Sequence, residues 1–287
     1  MSLVFRRIFD GRPLGRRLRL RWEYTRPFPL PRYTEATPRI AGTGPLDIFL
    51  PANPSTIGAA SLEATPAVAA VLAKMTQIKE IVALRAFYRS SQRKFNAHWR
   101  YADLLTVLWA AATLDPPASY LEIGVRTGRS AAIVGAAAPK CALYGFDLWT
   151  PDYAGTANPG PEFVRDQLRA VGHTGSVTLI AGDSRKTVPA FLCQNPDLYF
   201  DLIAIDGDKS IVGAGSDFAN ALPRLKVGGI VVCDDICLAP HLRRVWDTVV
   251  KYDSRYVTWE FAEGSVGVAA AVRMSDEPVA PSLFDLT

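Results

Sequence analysis

Apolar residues fall into two kinds of run along this chain. From position 65 to about 88, Ala, Leu, Val and Ile recur at helical spacing, and Thr65-Pro66 has the form of a cap followed by a first-turn proline. A second helical pattern covers roughly 98–114 and stops at Pro116-Pro117. After that the pattern changes. Short apolar runs appear at 120–123, 142–146, 177–180, 202–205 and 230–232. Helix-length segments separate them, at 130–138, 162–171, 185–192, 214–225 and 240–252. Strand and helix in alternation predict a doubly wound α/β fold around a parallel sheet. Two last runs, 257–261 and 266–272, lie four residues apart and read as a hairpin, adding an antiparallel strand. The expectation is a mostly parallel seven-stranded, Rossmann-like sheet with an N-terminal helical and extended arm.

Before position 65 the pattern is different in kind. Nine of the 21 prolines fall in the first 66 residues, which resists helix and reads as extended arm or loop. Residues 1–33 also carry nine arginines against two acids, so the formal charge of +4 belongs to the arm and not to the body. An arm of this kind suits an anionic partner, or packing on its own acidic body or on a neighbouring subunit. The divisions expected are a basic arm at 1–60, a helical cap or oligomerisation segment at 61–115, a catalytic domain at 116–275 and a tail at 276–287.

Composition narrows the class. With 287 residues, 49% hydrophobic and 21% charged, the chain can bury a large core and is not disordered. No apolar stretch is long enough for a membrane span, and the start has arginines inside its apolar residues, unlike a secretory signal. The four cysteines read as reduced thiols, which points to the cytoplasm. Cys233 and Cys237 lack the second pair a zinc site needs.

Ligands of open parallel sheets bind beyond the carboxyl ends of the strands. Each of the five runs is followed there by an acid. The first ends in Glu122-Ile-Gly-Val-Arg-Thr-Gly-Arg-Ser130, the second in Asp147, and the third in Gly182-Asp183-Ser184. The fourth ends in Asp206-Gly-Asp-Lys209 and the fifth in Asp234-Asp235. Gly124 and Gly128 let the backbone turn tightly and approach a ligand, and the helix that follows opens with free N–H groups. A dinucleotide loop would need G-x-G-x-x-G, but this one has Arg126 and the spacing G-x-x-x-G, which disfavours a nicotinamide oxidoreductase. Asp147 is placed to accept ribose hydroxyls, and Asp183 with Ser184 to meet an adenine edge. His241 reads as a helix-start surface residue. Trp149 and Tyr153, on a Gly/Pro-rich loop, are expected at the mouth of the site.

These motifs resemble those of the class I S-adenosylmethionine-dependent methyltransferases over about residues 100–275. Asp206-Gly-Asp-Lys209 and Leu-Lys-Val-Gly-Gly-Ile-Val-Val-Cys-Asp234-Asp235 further resemble the metal-dependent O-methyltransferases. These are the catechol and caffeoyl-CoA type and a bacterial group acting on sugars and antibiotics. The resemblance implies a divalent cation, Mg²⁺, on Asp206, Asp234 and Asp235, with Lys209 as base. The donor would sit on Glu122, Gly124, Gly128, Ser130, Asp147, Asp183 and Ser184. Lys209 follows the catechol pattern, while the acidic pair follows the sugar and antibiotic pattern. The implied substrate is a small molecule or sugar hydroxyl; the proline-rich arm, which can reach a partner subunit, leads to the expectation of a homo-oligomer. The alternatives are a metal-independent methyltransferase, a binding protein on the same fold and, less favoured, a nucleic-acid-modifying enzyme using the arginine arm.

Overall fold

A computed structural model describes residues 54–276, apart from 152, 154–157, 264 and 265. The arginine-rich sequence before residue 54, part of the Gly/Pro-rich loop, the tip of the hairpin and the tail lie outside the described residues.

Among the described residues four α-helices come first: α1 (Pro54–Ser61), α2 (Thr65–Lys74), α3 (Lys79–Phe95) and α4 (Leu104–Leu114). Strands and helices then alternate as β1 (Ser119–Ile123), α5 (Arg129–Ala137), β2 (Ala142–Asp147), α6 (Pro161–Ala170), β3 (Val177–Ala181), α7 (Ser184–Gln194), β4 (Phe200–Ile205), α8 (Ile211–Ala221), β5 (Leu225–Asp234) and α9 (Pro240–Trp246). The antiparallel pair β6 (Tyr256–Phe261) and β7 (Val268–Arg273) closes the chain. The sheet order is β3-β2-β1-β4-β5-β7-β6. Strands β1 to β5 are mutually parallel, and β7 runs antiparallel to β5. This is the mostly parallel, seven-stranded doubly wound fold expected.

The strand sequences are apolar almost throughout because both faces of the sheet are covered. Alternate residues serve the two sides. Leu202 and Ala204 pack under α4 and α5, while Ile203 and Ile205 pack under α7, α8 and α9. Helix α4 has eight of its 11 residues buried, including Leu105, Val107 and Leu108. It belongs to the core of the sheet domain, as do Ile57 of α1 and Leu72 of α2.

Three local expectations are corrected. The apolar pattern from 65 to 88 is two helices, not one. The chain turns extended at Met75, where the Gln77 amide donates to the Leu72 and Met75 carbonyls and the Thr76 N–H donates to Gln167. That side-chain capping satisfies carbonyls at the end of α2. The stretch 98–114 is helical only from Leu104, where Asp103 and Thr106 form a reciprocal capping box. The Tyr88 hydroxyl also donates to Asp103, which fastens α3 to the start of α4. Helix α1, in turn, occupies residues where proline suggested extended chain.

Candidate active site

The strand order reverses at β1, which lies between β2 and β4. That reversal opens a crevice at the carboxyl edge. The register places the acids there together: Ile123 pairs with Phe146 and with Ile205, and Ile205 with Cys233. Asp147, Asp206 and Asp234 each follow directly on one of these levelled residues, and Glu122 stands one step before. Separated stretches of sequence therefore meet on one rim.

On the β1 and β2 side, the loop turns at Gly124 (φ 98°) and Gly128 (φ 76°). A Cβ at Gly124 would stand 2.2 Å from the Asp206 carbonyl oxygen, so the two loops touch backbone to backbone. Asp147 organises this loop. Its carboxylate accepts from the N–H of Arg126 at 2.7 Å and from the N–H of Trp149 at 2.6 Å. The Trp149 indole donates to the Arg126 carbonyl at 3.0 Å, so Trp149 is 8% exposed and closes the loop from outside. Tyr153 is half exposed, with the Arg126 guanidinium 5.9 Å from its ring centre.

Glu122 is fully buried and accepts from the Ser130 hydroxyl. Its other carboxylate oxygen is buried, with the Tyr120 hydroxyl as its polar neighbour. Burial pushes its pKa up to about 8, with Asp206 and Asp147 adding to the rise against the hydroxyls of Ser130 and Tyr120, which lower it. A largely protonated carboxyl beside a glycine turn can ionise when a ligand brings positive charge to it.

On the β4 and β5 side, oxygens of Asp206, Asp234 and Asp235 lie within 4.8 Å of one another. Asp235 holds a left-handed backbone (φ 62°), which turns the chain sharply after β5 and returns its side chain to the cluster. Burial, with Asp206 and Asp235 nearby, drives the Asp234 carboxyl well above its ordinary range. Asp206 is raised by burial as well. Lys209 bridges the group: its ammonium pairs with Asp206 and, at 2.7 Å, with Asp235. Burial pulls the Lys209 pKa down, but those two carboxylates outweigh it and hold the ammonium above the usual lysine range. The direction is opposite to what a proton acceptor needs. Three hard oxygen donors with one lysine between them form a set that fits a divalent cation.

Asp183 and Ser184 stand on the same edge, each bonded to a neighbouring side chain. Asp183 caps α7, and hydrogen bonds from Arg185 hold its carboxyl below the usual range. The Ser184 hydroxyl donates inward to Asp217 at 2.7 Å. Asp217, on α8, is a fully buried acid that sequence reasoning missed. His241 was also underrated: its Nε2–H donates to the Lys209 carbonyl at 2.8 Å and pins the reacting loop to α9. Neither residue sits in a motif. The one available signal was an acid inside the otherwise apolar face of α8. Cys233 is a buried strand residue and Cys237 is exposed, and both are free thiols.

Residues 121–236 match the family model described as "Methyltransferase domain". Among solved structures, the chain is similar to the O-methyltransferase TomG from Streptomyces achromogenes in complex with SAM, at 20% identity over 70% of this chain and 92% of that one, with a TM-score of 0.50. It is also similar to the O-methyltransferase from Bacillus cereus in complex with SAH (16% identity, 74% and 99% covered, TM-score 0.49). A third is CalS11, the calicheamicin methyltransferase (22% identity, 74% and 91% covered, TM-score 0.47). No curated protein matches the chain. The matched segment contains all the acids of the rim, from Glu122 to Asp235.

Proposed function

We propose that this chain, whose residues 121–236 match a methyltransferase-domain model, moves the methyl group of S-adenosylmethionine onto a hydroxyl oxygen of a small molecule, assisted by Mg²⁺. The observation that carries the reading is the joint rim. Glu122 and Asp147 lie beside the glycine turn, while Asp206, Asp234 and Asp235 form a carboxylate cluster one strand away.

Gly124, Gly128 and the opening of α5 give a donor close access to backbone N–H groups. Each Asp147 oxygen keeps a lone pair beyond the loop amide it already holds, so the carboxylate can accept from ribose hydroxyls. Glu122 meets the positive charge of the donor. Asp206, Asp234 and Asp235 would hold the divalent cation. A cation there supplies Lewis-acid polarisation and lowers the pKa of an acceptor hydroxyl. Lys209 would take the hydroxyl proton only after releasing its own ammonium proton to solvent, which requires Asp206 and Asp235 to turn away from it. Burial, the opposing influence on Lys209, then favours its neutral form. The fixed rim lines up acceptor oxygen and methyl carbon, the largest saving available to a transfer of this kind.

The same Lys209 pairing favours a second reading, in which the ammonium itself serves as the cation and no metal is used. Transfer of labelled methyl from S-adenosylmethionine to a panel of catechols and hydroxylated sugars, with and without EDTA, separates the two. Activity that survives EDTA removes the metal from the proposal. Absence of both S-adenosylhomocysteine binding and transfer removes the enzyme.

Glu122 gives an independent check. At neutral pH most of it is protonated, and a bound cation lowers its pKa, so donor binding should release up to about one proton. Calorimetry in two buffers of different ionisation enthalpy measures that release. The unfolded carboxyl ionises near pH 4 and the folded one near pH 8, so the folded state keeps its proton longer and stability falls as pH rises between them. Glu122→Gln should flatten that fall, raise Tm by several degrees near pH 8 and weaken donor binding by at least about tenfold. A Tm that climbs from pH 5 to pH 8 in the wild type would contradict the assignment.

A further inference from the structure

We propose that Asp217 is a positioning residue that ties the donor-side loop after β3 to the reacting loop after β4. The proposal rests on the functional reading above and deepens it.

Helix α8 buries Ile211, Ala214, Phe218 and Ala221 against the sheet, and Asp217 lies among them with no exposed surface. An isolated carboxylate in such a place is costly, and a small apolar residue would fill the position without that cost. What the acid adds is two bonds in different directions. Its Oδ1 accepts from the Ser184 hydroxyl at 2.7 Å, and its Oδ2 accepts from the Asp208 N–H at 3.3 Å. Ser184 opens α7 directly after β3. Asp208 lies between Asp206 and Lys209, the two residues given to the cation and the proton.

The contact with the reacting loop is tight as well as polar. A Cβ at Gly207 would stand 2.3 Å from the same Oδ2, and 2.9 Å from Ile123 of β1. Gly207 therefore lets the loop backbone lie directly on the carboxylate. Asp217 thus fixes the height of Asp206 and Lys209 over the sheet and the orientation of Ser184 at once. It has no surface from which to touch a ligand, so any influence on donor or cation runs through these two partners.

The test is a cycle of variants read by two probes, S-adenosylhomocysteine by calorimetry and Mn²⁺ by electron paramagnetic resonance. Asp217→Ala removes both bonds and should weaken S-adenosylhomocysteine and Mn²⁺ by about tenfold each. Asp217→Asn can accept from Asp208 and donate to Ser184, and should stay within about threefold of wild type for both. Ser184→Ala should weaken S-adenosylhomocysteine and leave Mn²⁺ within about twofold. In the Ser184→Ala background, Asp217→Ala should change S-adenosylhomocysteine affinity by less than about twofold yet still weaken Mn²⁺. Additive losses in S-adenosylhomocysteine affinity, or an Asp217→Ala protein that is less thermostable but unchanged with both probes, overturn the tether. Should Asp217→Ala not fold, Asp217→Leu takes its place in the same cycle. A wild-type protein that binds no S-adenosylhomocysteine would instead overturn the functional reading on which this one stands.

Discussion

Replacing Asp234 by Asn should abolish turnover, by about 10³-fold or more, while making the metal-free protein more stable. The two effects have one cause. Asp234 is buried beside Asp206 and Asp235, and its carboxyl is driven far upward by burial first and by those neighbours second. Ionised, it costs the fold free energy at neutral pH, and a neutral amide of the same shape relieves that cost. The same charge is what a divalent cation needs, and losing it forfeits roughly 4 kcal/mol of barrier lowering, three powers of ten in rate. The acceptor for this measurement is the catechol or sugar that takes label from the wild type. Millimolar Mg²⁺ should raise Tm in the wild type and leave the D234N variant unmoved, because only a folded state with the site intact gains from ligand. Affinity for S-adenosylhomocysteine should change by less than about threefold, since Asp234 belongs to the other half of the rim. A D234N protein that keeps wild-type turnover would remove the cation from the mechanism. One that loses S-adenosylhomocysteine binding and turnover in proportion would assign Asp234 to the donor.

The strands could be read from sequence because buried parallel strands must be short apolar runs, and each run here ends at a polar turn. The same feature exposed the acids: Asp147, Asp206 and Asp234 stand where an apolar run stops and Glu122 one residue before the end of one, so their convergence followed from the fold class alone. What the sequence hides are contacts made between elements. Nothing near position 75 marks the break between α2 and α3, because its stabilising partner, Gln167, lies 91 residues away. Asp103 looks like an ordinary cap, and only the packing of α3 brings the Tyr88 hydroxyl to it. Asp217 and His241 each act on the reacting loop through hydrogen bonds from separate helices. The place of Lys209 beside the cluster was legible from its spacing after Asp206, but its charge state was not. That depends on Asp235, whose left-handed backbone turns the side chain back toward the lysine.

Lys209 is accordingly where the chemistry and the fold make opposing demands, and Lys209→Ala should separate them. In the metal-free protein the ammonium offsets the mutual repulsion of Asp206 and Asp235, so removing it leaves two buried carboxylates facing each other. A loss on the order of 3 kcal/mol of stability at neutral pH is expected. Acid should restore it, because the raised pKa of Asp206 lets that carboxyl take up a proton as pH falls. Mg²⁺ should restore it too, and with higher apparent affinity than in the wild type, since no lysine competes for the same oxygens. Turnover behaves differently. With the site saturated by Mg²⁺ and the fold recovered, a protein that lacks its base should still be slower by about 10²–10⁴-fold, with S-adenosylhomocysteine affinity near wild type. Raising the pH should then recover part of the rate for acceptors of low hydroxyl pKa, because these arrive already ionised and need no base. Full recovery of turnover by Mg²⁺ alone would reduce Lys209 to a counter-ion for the empty cluster. Loss that persists under Mg²⁺ but is relieved by an acidic acceptor would place the proton transfer on this side chain.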